Sequence, residues 1–370
     1  MTLHPDLVYQ IALTMVPHIG PVQAKILLQH CEAEEIFHAK KHFLEKIDGI
    51  GPVRAASITS FKDFSKAEEE IKFIEKFKIT PLFISDPNYP QRLLNCYDSP
   101  TLLYYRGTAH LNDTKMVALI GTRSSTDYAK QVTEKLVKEL AIQKCVIVSG
   151  MAFGVDAIAH KSAVKNNTPT VGVLAHGLDQ VYPSEHTQLA KEMIKNEGGL
   201  LTEFRSKTKP DRHNFPSRNR IVAGMCDTTI VIETDIKGGS MITAELANGY
   251  NKDVFAIPGK INDTKSAGCN YLIKTNKAVL LTDTDQFLQS MGWLPTANQK
   301  KTKKAQRELF IELSPDEKII VNLLKEKDTI SIDEINLQSG LSSSAVAAAI
   351  LNLELQNVVV SLPGKLYRLS

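Results

Sequence analysis

Between Met116 and Leu281 the chain alternates short apolar runs with longer stretches of mixed polarity. The runs are Met116–Ile120, Val146–Val148, Thr170–Leu174, Leu200–Thr202, Thr229–Ile232, Val254–Ile257 and Ala278–Leu281, most of them rich in β-branched residues and bounded by Gly, Ser, Thr or Asp. Continuous apolar character over so few residues suits strands that are buried on both faces, as in a parallel sheet. Between them lie Tyr128–Ala141, Asp156–Asn166, Ser184–Lys195, Arg218–Met225 and Ser240–Asn251, each long enough for a helix. This rhythm predicts an α/β fold with a doubly wound, mostly parallel sheet. In such a sheet, ligands bind where strand C-terminal ends meet helix N-termini.

The flanks follow other patterns. Residues 1–83 hold two similar segments, Val16–Lys25 and Ile47–Ala56, each with a turn glycine followed by proline (Gly20-Pro21 and Gly51-Pro52). Proline suits the first helical position, so both segments predict helical hairpins, and the pair resembles a tandem helix-hairpin-helix module. With ten Lys/Arg against eleven Asp/Glu, residues 1–83 form a poor DNA platform, and a packing role is the competing reading. Residues 294–313 begin polar, basic and aperiodic, the pattern of a flexible linker. Beyond them Pro315–Lys327, Ile332–Ser339 and Ser342–Asn357 predict three helices, and Val358–Val360 and Leu366–Leu369 two strands framing a Pro363-Gly364-Lys365 turn. That order resembles a winged helix. Residues 314–370 carry five Lys/Arg against seven Asp/Glu, and the third helix opens with Ser342, Ser343 and Ser344, which favours protein contact over base reading.

Composition narrows the class. A chain of 370 residues, 43% hydrophobic and 23% charged, is an ordinary globular sequence of two or three domains. Five scattered cysteines without a C-x-x-C pair argue against a disulfide framework or a cysteine zinc site. No run approaches a membrane span, and the first residues lack the pattern of a secretory signal, so a cytoplasmic location is expected. The net charge of +3 announces no nucleic-acid partner. Its distribution does. Residues 205–220 hold six Lys/Arg and one Asp, an excess larger than that of the whole chain, with Phe215 inside the run. Cations interleaved with a stacking ring are what sequence-tolerant single-strand binding uses.

Three further turns point to the same sheet edge. Gly121-Thr122-Arg123 follows the first strand and offers small residues, free amides and one guanidinium to an anion. Ser149-Gly150 follows the second strand, and Gly238-Gly239-Ser240, with Thr243, opens a helix where the backbone can approach a phosphate. Asp156 and His160 stand four apart on one helix, but no third metal ligand is evident and Asp156 is expected as a helix N-cap. No P-loop, G-x-S-x-G or H-E-x-x-H pattern occurs, so neither cofactor nor catalytic set is expected.

Six motifs in one order carry a resemblance. Ile120–Arg123, Val148–His160, Gly177–Pro183, Phe215–Gly224, Gly239–Ala244 and Ala256–Gly259 closely resemble the DNA processing protein A family (DprA, also called Smf), over roughly residues 85–290. The resemblance implies an extended Rossmann-like sheet domain (84–293), flanked by an N-terminal all-α helix-hairpin-helix (SAM-like) domain and a C-terminal winged-helix domain (314–370). It implies a homodimeric, ATP-independent binder of single-stranded DNA that shields incoming strands and loads the RecA recombinase in natural transformation. It places Arg123 of the Gly-Thr-Arg turn, and Arg212 with Phe215, in the binding pocket, and matches Arg218, Asn219 and Arg220 to an Arg-Asn-Arg motif. The strand-end turns and helix N-termini add Ser149, Gly150, Gly238, Gly239, Ser240 and Thr243, and with Phe153 these complete the expected nucleic-acid-binding set. Where many relatives have a basic residue after Tyr-Pro, this chain has Ser184.

Two other readings stay open. Gly238-Gly239-Ser240 with Thr243 and Glu245 is faintly similar to the turn of lysine-decarboxylase-like phosphoribohydrolases, with Arg218 holding a phosphate beside Glu245 as acid–base. Release of a base from a nucleoside monophosphate would identify it. An adaptor working through its winged helix would bind no nucleic acid at residues 85–290.

Overall fold

The computed structural model describes residues 6–113, 115–293, 313–327, 329–356, 358–362 and 366–369. The chain divides into two compact units, Met1–Leu294 and Pro295–Ser370.

The first unit opens with six helices: α1 Leu7–Leu13, α2 Pro21–Leu28, α3 Ala33–His38, α4 Lys41–Leu44, α5 Gly51–Ser60 and α6 Ser65–Phe77. Both hairpin glycines mark turns as expected: Gly20 is the N-cap of α2, and Gly51 opens α5 with Pro52 behind it. The helices close around Ile11, Leu13, Leu27, Ile36, Leu44 and Ile58, all fully buried.

A nine-stranded sheet follows: β1 Thr80–Phe83, β2 Leu102–Gly107, β3 Met116–Ile120, β4 Val146–Ser149, β5 Thr170–Val173, β6 Gly199–Thr202, β7 Thr228–Val231, β8 Asp253–Ala256 and β9 Val279–Leu280. Its order is β1-β2-β6-β5-β4-β3-β7-β8-β9. From β6 to β9 all neighbours are parallel, while β1 and β2 add antiparallel pairings. The first strand, β1, lies inside the segment expected to be wholly helical. Its Pro81 lacks a ladder donor and is tolerated because β1 is an edge. Tyr104 on β2 and Phe83 on β1 pack into the core of the helices, which joins the two domains.

Along β3 the side chains alternate between two cores. Met116, Ala118 and Ile120 belong to one, with α7 (Gln91–Leu94), α11 (Asn214–Gly224), α12 (Gly239–Gly249) and α13 (Ala267–Lys274). Val117 and Leu119 belong to the other, with α8 (Asp127–Ile142), α9 (Val155–Lys165) and α14 (Thr284–Ser290). Helix α10 (Thr187–Lys195) packs its Leu189 and Met193 on Met151, Leu174 and Leu200. Since β3 leads to β4, β5 and β6 on one side and to β7, β8 and β9 on the other, the strand order reverses between β3 and β7. A crevice at the carboxyl ends of these strands is the expected ligand position.

The second unit contains α15 Pro315–Glu326, β10 Ile330–Ser331, α16 Ile332–Ser339, α17 Ser343–Leu355, β11 Val359–Leu362 and β12 Leu366–Leu369, its three strands antiparallel in the order β10-β12-β11. This is a winged helix. Serine caps start each helix: Ser314, with Glu317 in a capping box, Ser331 and Ser342. Most of the expected linker and the Pro363-Gly364-Lys365 turn lie outside the described residues.

Candidate nucleic-acid interface

At the reversal point the strand ends surround a cleft of about 560 Å³. Its floor is the Ile120–Arg123 turn and Gly150, one wall is the face of α11 carrying Phe215, Arg218, Asn219 and Val222, and the other is the start of α12 with Gly238, Gly239, Ser240 and Thr243. Arg123 and Arg212 are exposed at its edges.

The Gly121–Thr126 turn is held by Glu233 at the end of β7. The buried carboxylate accepts the Thr126 amide at 2.9 Å and the Thr126 hydroxyl at 2.7 Å, while the Glu233 carbonyl accepts the Thr122 amide at 2.7 Å. Thr126 also caps α8. Gly154, the N-cap of α9, has φ +77 and sits so close to Thr122 and Arg123 that a Cβ there would strike their backbone. So anchored, Arg123 places its guanidinium 5.0 Å from the centre of the Phe215 ring, a cation–π contact. Tyr182 stands 6.3 Å beyond Phe215, and Phe153 meets His186 edge-on at 5.0 Å. Phe153 and Tyr182 are 47% and 49% exposed, which leaves aromatic faces open beside the cations.

Beneath this rim lies a buried frame. Arg218 donates to the Val173 carbonyl and, through Nε, to Asn219 Oδ1 at 3.2 Å. It faces Asp156 across Gly150, where an added Cβ would fall 2.5 Å from Arg218 Nη1 and closer still to Asp156 Oδ2. Burial pushes the Asp156 carboxyl up, and the Arg218 charge opposes that shift. Burial likewise lowers Arg218. Asp156 is not the N-cap of α9; it stands in the first turn, its Oδ2 accepting the Ala152 amide at 3.2 Å. His160 is fully buried, with Nε2 2.6 Å from the Gly150 carbonyl and Nδ1 2.7 Å from the Thr170 hydroxyl. Among the described residues no cluster of three metal-ligating side chains occurs.

The structure separates the expected site residues. Arg123, Gly150, Arg212, Phe215, Arg218, Asn219, Gly238, Gly239, Ser240 and Thr243 line one cleft, and Phe153 lines an adjoining slot with Arg123, Tyr182 and Phe215. Two do not join them. Ser149 is wholly buried and its hydroxyl donates to the Leu119 carbonyl at 2.6 Å, so no phosphate reaches it. Arg220 turns inward, pairing with Glu203 and donating to the Asp98 carbonyl. The Ser240 hydroxyl is committed to Thr234 at 2.7 Å, leaving its contribution to the α12 N-terminus. Ser184 is exposed, its hydroxyl donating to Glu185 at 3.2 Å. The basic run is therefore less free than its composition suggests, because Arg218 and Arg220 are buried and Lys207 pairs with Glu69 at 3.1 Å. Glu245 lines a different hollow, with Tyr97 and Tyr271, and pairs with Lys277 at 2.7 Å; it is not placed as an acid–base beside Arg218.

Comparison with known proteins addresses the same region. Residues 80–292 match the family model of DNA recombination-mediator protein A, and residues 304–365 match the DprA winged helix domain. The chain belongs to the DprA family. It is 32% identical to Protein Smf of Synechocystis over 396 residues, covering 97% of this chain and 98% of that DprA relative. The structure of DNA processing protein A from Streptococcus pneumoniae superposes with a TM-score of 0.65 at 30% identity, covering 78% of this chain and 98% of that one. DNA processing protein A from Helicobacter pylori, whose structure concerns its single-stranded DNA binding mode, gives a TM-score of 0.53 at 34% identity, over 58% of this chain and 96% of that DprA chain.

Proposed function

We propose that the chain binds single-stranded DNA in the cleft at the β3/β7 reversal, shields it, and loads a RecA-type recombinase onto it during natural transformation, acting as a homodimer in the cytoplasm. The observation that carries the reading is the Arg123 guanidinium on the Phe215 ring at the cleft rim. It sets a cation and a stacking surface at one point, as a flexible strand with unstacked bases requires. Arg212 adds a second exposed cation, and the α12 N-terminus adds the partial positive charge of a helix end. A duplex presents no free base face to Phe215 and keeps only the salt-sensitive phosphate attraction. The winged helix, with acidic residues in excess and with Leu337, Leu351 and Leu355 exposed, is read as a contact for a protein partner.

The test is fluorescence anisotropy of the full chain with labelled poly-dT and with a duplex of equal length, at two salt concentrations. Preference for the single strand, lost in Arg123→Ala/Arg212→Ala, is expected. Equal binding of both forms, or an unaffected double variant, refutes the assignment. A strand-exchange assay with RecA on pre-coated single strands tests the loading step.

A further inference from the structure

The helical domain reaches the cleft through one buried carboxylate. Glu70, on α6, is 4% exposed and uses both oxygens on one residue: Oε1 accepts the Ser206 amide at 2.9 Å and Oε2 the Ser206 hydroxyl at 2.5 Å. Ser206 stands at the start of the basic loop that runs to Arg212 and Phe215. The next residue, Lys207, has φ +64. Left-handed backbone costs a residue with a Cβ about 1–2 kcal/mol, so the bend must be held from outside. On the far side Asp179 Oδ1 accepts the Lys207 amide at 3.0 Å, and the Thr208 carbonyl accepts the Gly177 amide at 3.1 Å and Gln180 Nε2 at 3.2 Å. The loop is clamped between the helical domain and the segment that leads to Tyr182. The domain itself is a poor DNA platform here, since the four glutamates of α6, Glu68, Glu69, Glu70 and Glu75, outnumber its three lysines, Lys66, Lys72 and Lys76.

We infer that Glu70 is a positioning residue: through Ser206 it sets the basic loop so that Arg212 and Phe215 face the cleft, and the helical domain thereby governs single-strand affinity without touching the DNA. The inference rests on the reading of the cleft given above. Charge-assisted bonds to a buried carboxylate are strong, and their loss frees the loop while leaving the cation count intact.

The experiment uses the full chain and the variants Glu70→Ala, Glu70→Gln and Ser206→Ala, with Glu75→Gln, exposed on the same helix and away from the loop's anchors, as the control that removes an equal charge. Trypsin cleavage after Lys207 and Arg212 reports loop release, and anisotropy with labelled poly-dT reports binding. Glu70→Ala is expected to speed loop cleavage and weaken poly-dT binding about tenfold each, as loss of charge-assisted bonds implies. Glu70→Gln, which keeps an acceptor for the Ser206 amide, recovers most of the binding. Ser206→Ala, at a partly exposed position, gives a smaller loss in a folded chain, and Glu75→Gln matches wild type. In an Arg212→Ala background the Glu70→Ala loss falls below about twofold, because coupled groups are not additive. Poly-dT binding that is unchanged in Glu70→Ala, or losses that add fully to those of Arg212→Ala, overturn the positioning role. A wild-type chain that ignores poly-dT while Glu70→Ala still releases the loop overturns the reading of the cleft instead.

Discussion

Acidification should destabilise the protein through His160, and the size of the effect follows from its surroundings. The ring is fully buried, and burial first, then the charges of His186 and Arg218, lower its pKa from 6.5 to about 4 against the opposing bond to the Gly150 carbonyl. In the neutral ring Nε2–H donates to that carbonyl and Nδ1 is an acceptor 2.7 Å from the Thr170 hydroxyl, whose one proton is shared between Nδ1 and the Ile147 carbonyl at 2.9 Å. The unfolded chain takes up the proton near pH 6.5 and the folded chain only near 4, so stability is full above 6.5 and falls as pH drops through this window. The loss is about 2 kcal/mol at pH 5 and about 3 kcal/mol once both states are protonated. Glu203 contributes the opposite slope, because burial pushes its carboxyl up to about 7 despite Arg220. Stability from Glu203 therefore declines as pH rises from 4.5 toward 7. The readout is thus the difference between wild type and His160→Gln, by urea denaturation at pH 7.5, 6.0, 5.0 and 4.5. The variant is expected to start less stable and to lose about 2 kcal/mol less than wild type between pH 7.5 and 5.0. Parallel curves would refute a buried neutral imidazole at this position.

Four further outcomes separate frame from rim. Arg220→Ala, which leaves the Glu203 carboxyl buried without its partner, should cost about 3–5 kcal/mol in denaturant at pH 7.5 and less at pH 5, where that carboxyl holds its proton, while the salt slope of poly-dT binding stays as in wild type. Arg212→Ala should do the reverse, lowering that slope by about 0.7 with little change in stability. Phe215→Ala should weaken poly-dT binding by about 1–3 kcal/mol and leave duplex binding nearly unaltered, measured by anisotropy. Gly150→Ala should push Arg218 off the Val173 carbonyl and crowd Asp156, destabilising the chain by about 1–3 kcal/mol in thermal or urea melts; a variant as stable as wild type would contradict the packing described at Gly150.

The parallel strands were legible because burial on both faces writes itself as unbroken apolar runs, and Met116–Ile120 is strand β3 residue for residue. The antiparallel β1 and β2 were not. Thr80–Phe83 includes a proline and only four residues, and nothing local says that it borders a sheet. In the site, sequence supplied charge without direction. Helix α11 begins at Asn214, four residues before the expected start, and its cleft face is Phe215, Arg218, Asn219 and Val222. That is the i, i+3, i+4, i+7 spacing of one helix face, and it leaves Arg220 off the face. The same periodicity, applied from Asn214, would have sorted the two arginines. Ser149 ends a strand buried on both faces, where a hydroxyl must find an internal acceptor. Glu233 carries no local signal, because its task, receiving two donors of Thr126 from 107 residues away, exists only once β3 and β7 are neighbours.

The arrangement of an exposed rim over a buried frame has a consequence for how such a protein can change over generations. Arg123 and Arg212 stand exposed at the rim, outside the interlocked interior, whereas Gly150, Asp156, Arg218 and His160 occupy a space with no room for a methyl group at its centre. On the proposed reading of the cleft, substitutions at the rim alter grip and little else, so affinity can drift by small steps through viable intermediates. Substitutions in the frame cost the fold before they alter the grip. The same chain can therefore be retuned to a different ionic interior or strand length by exchanging a few surface cations, without its architecture being revisited.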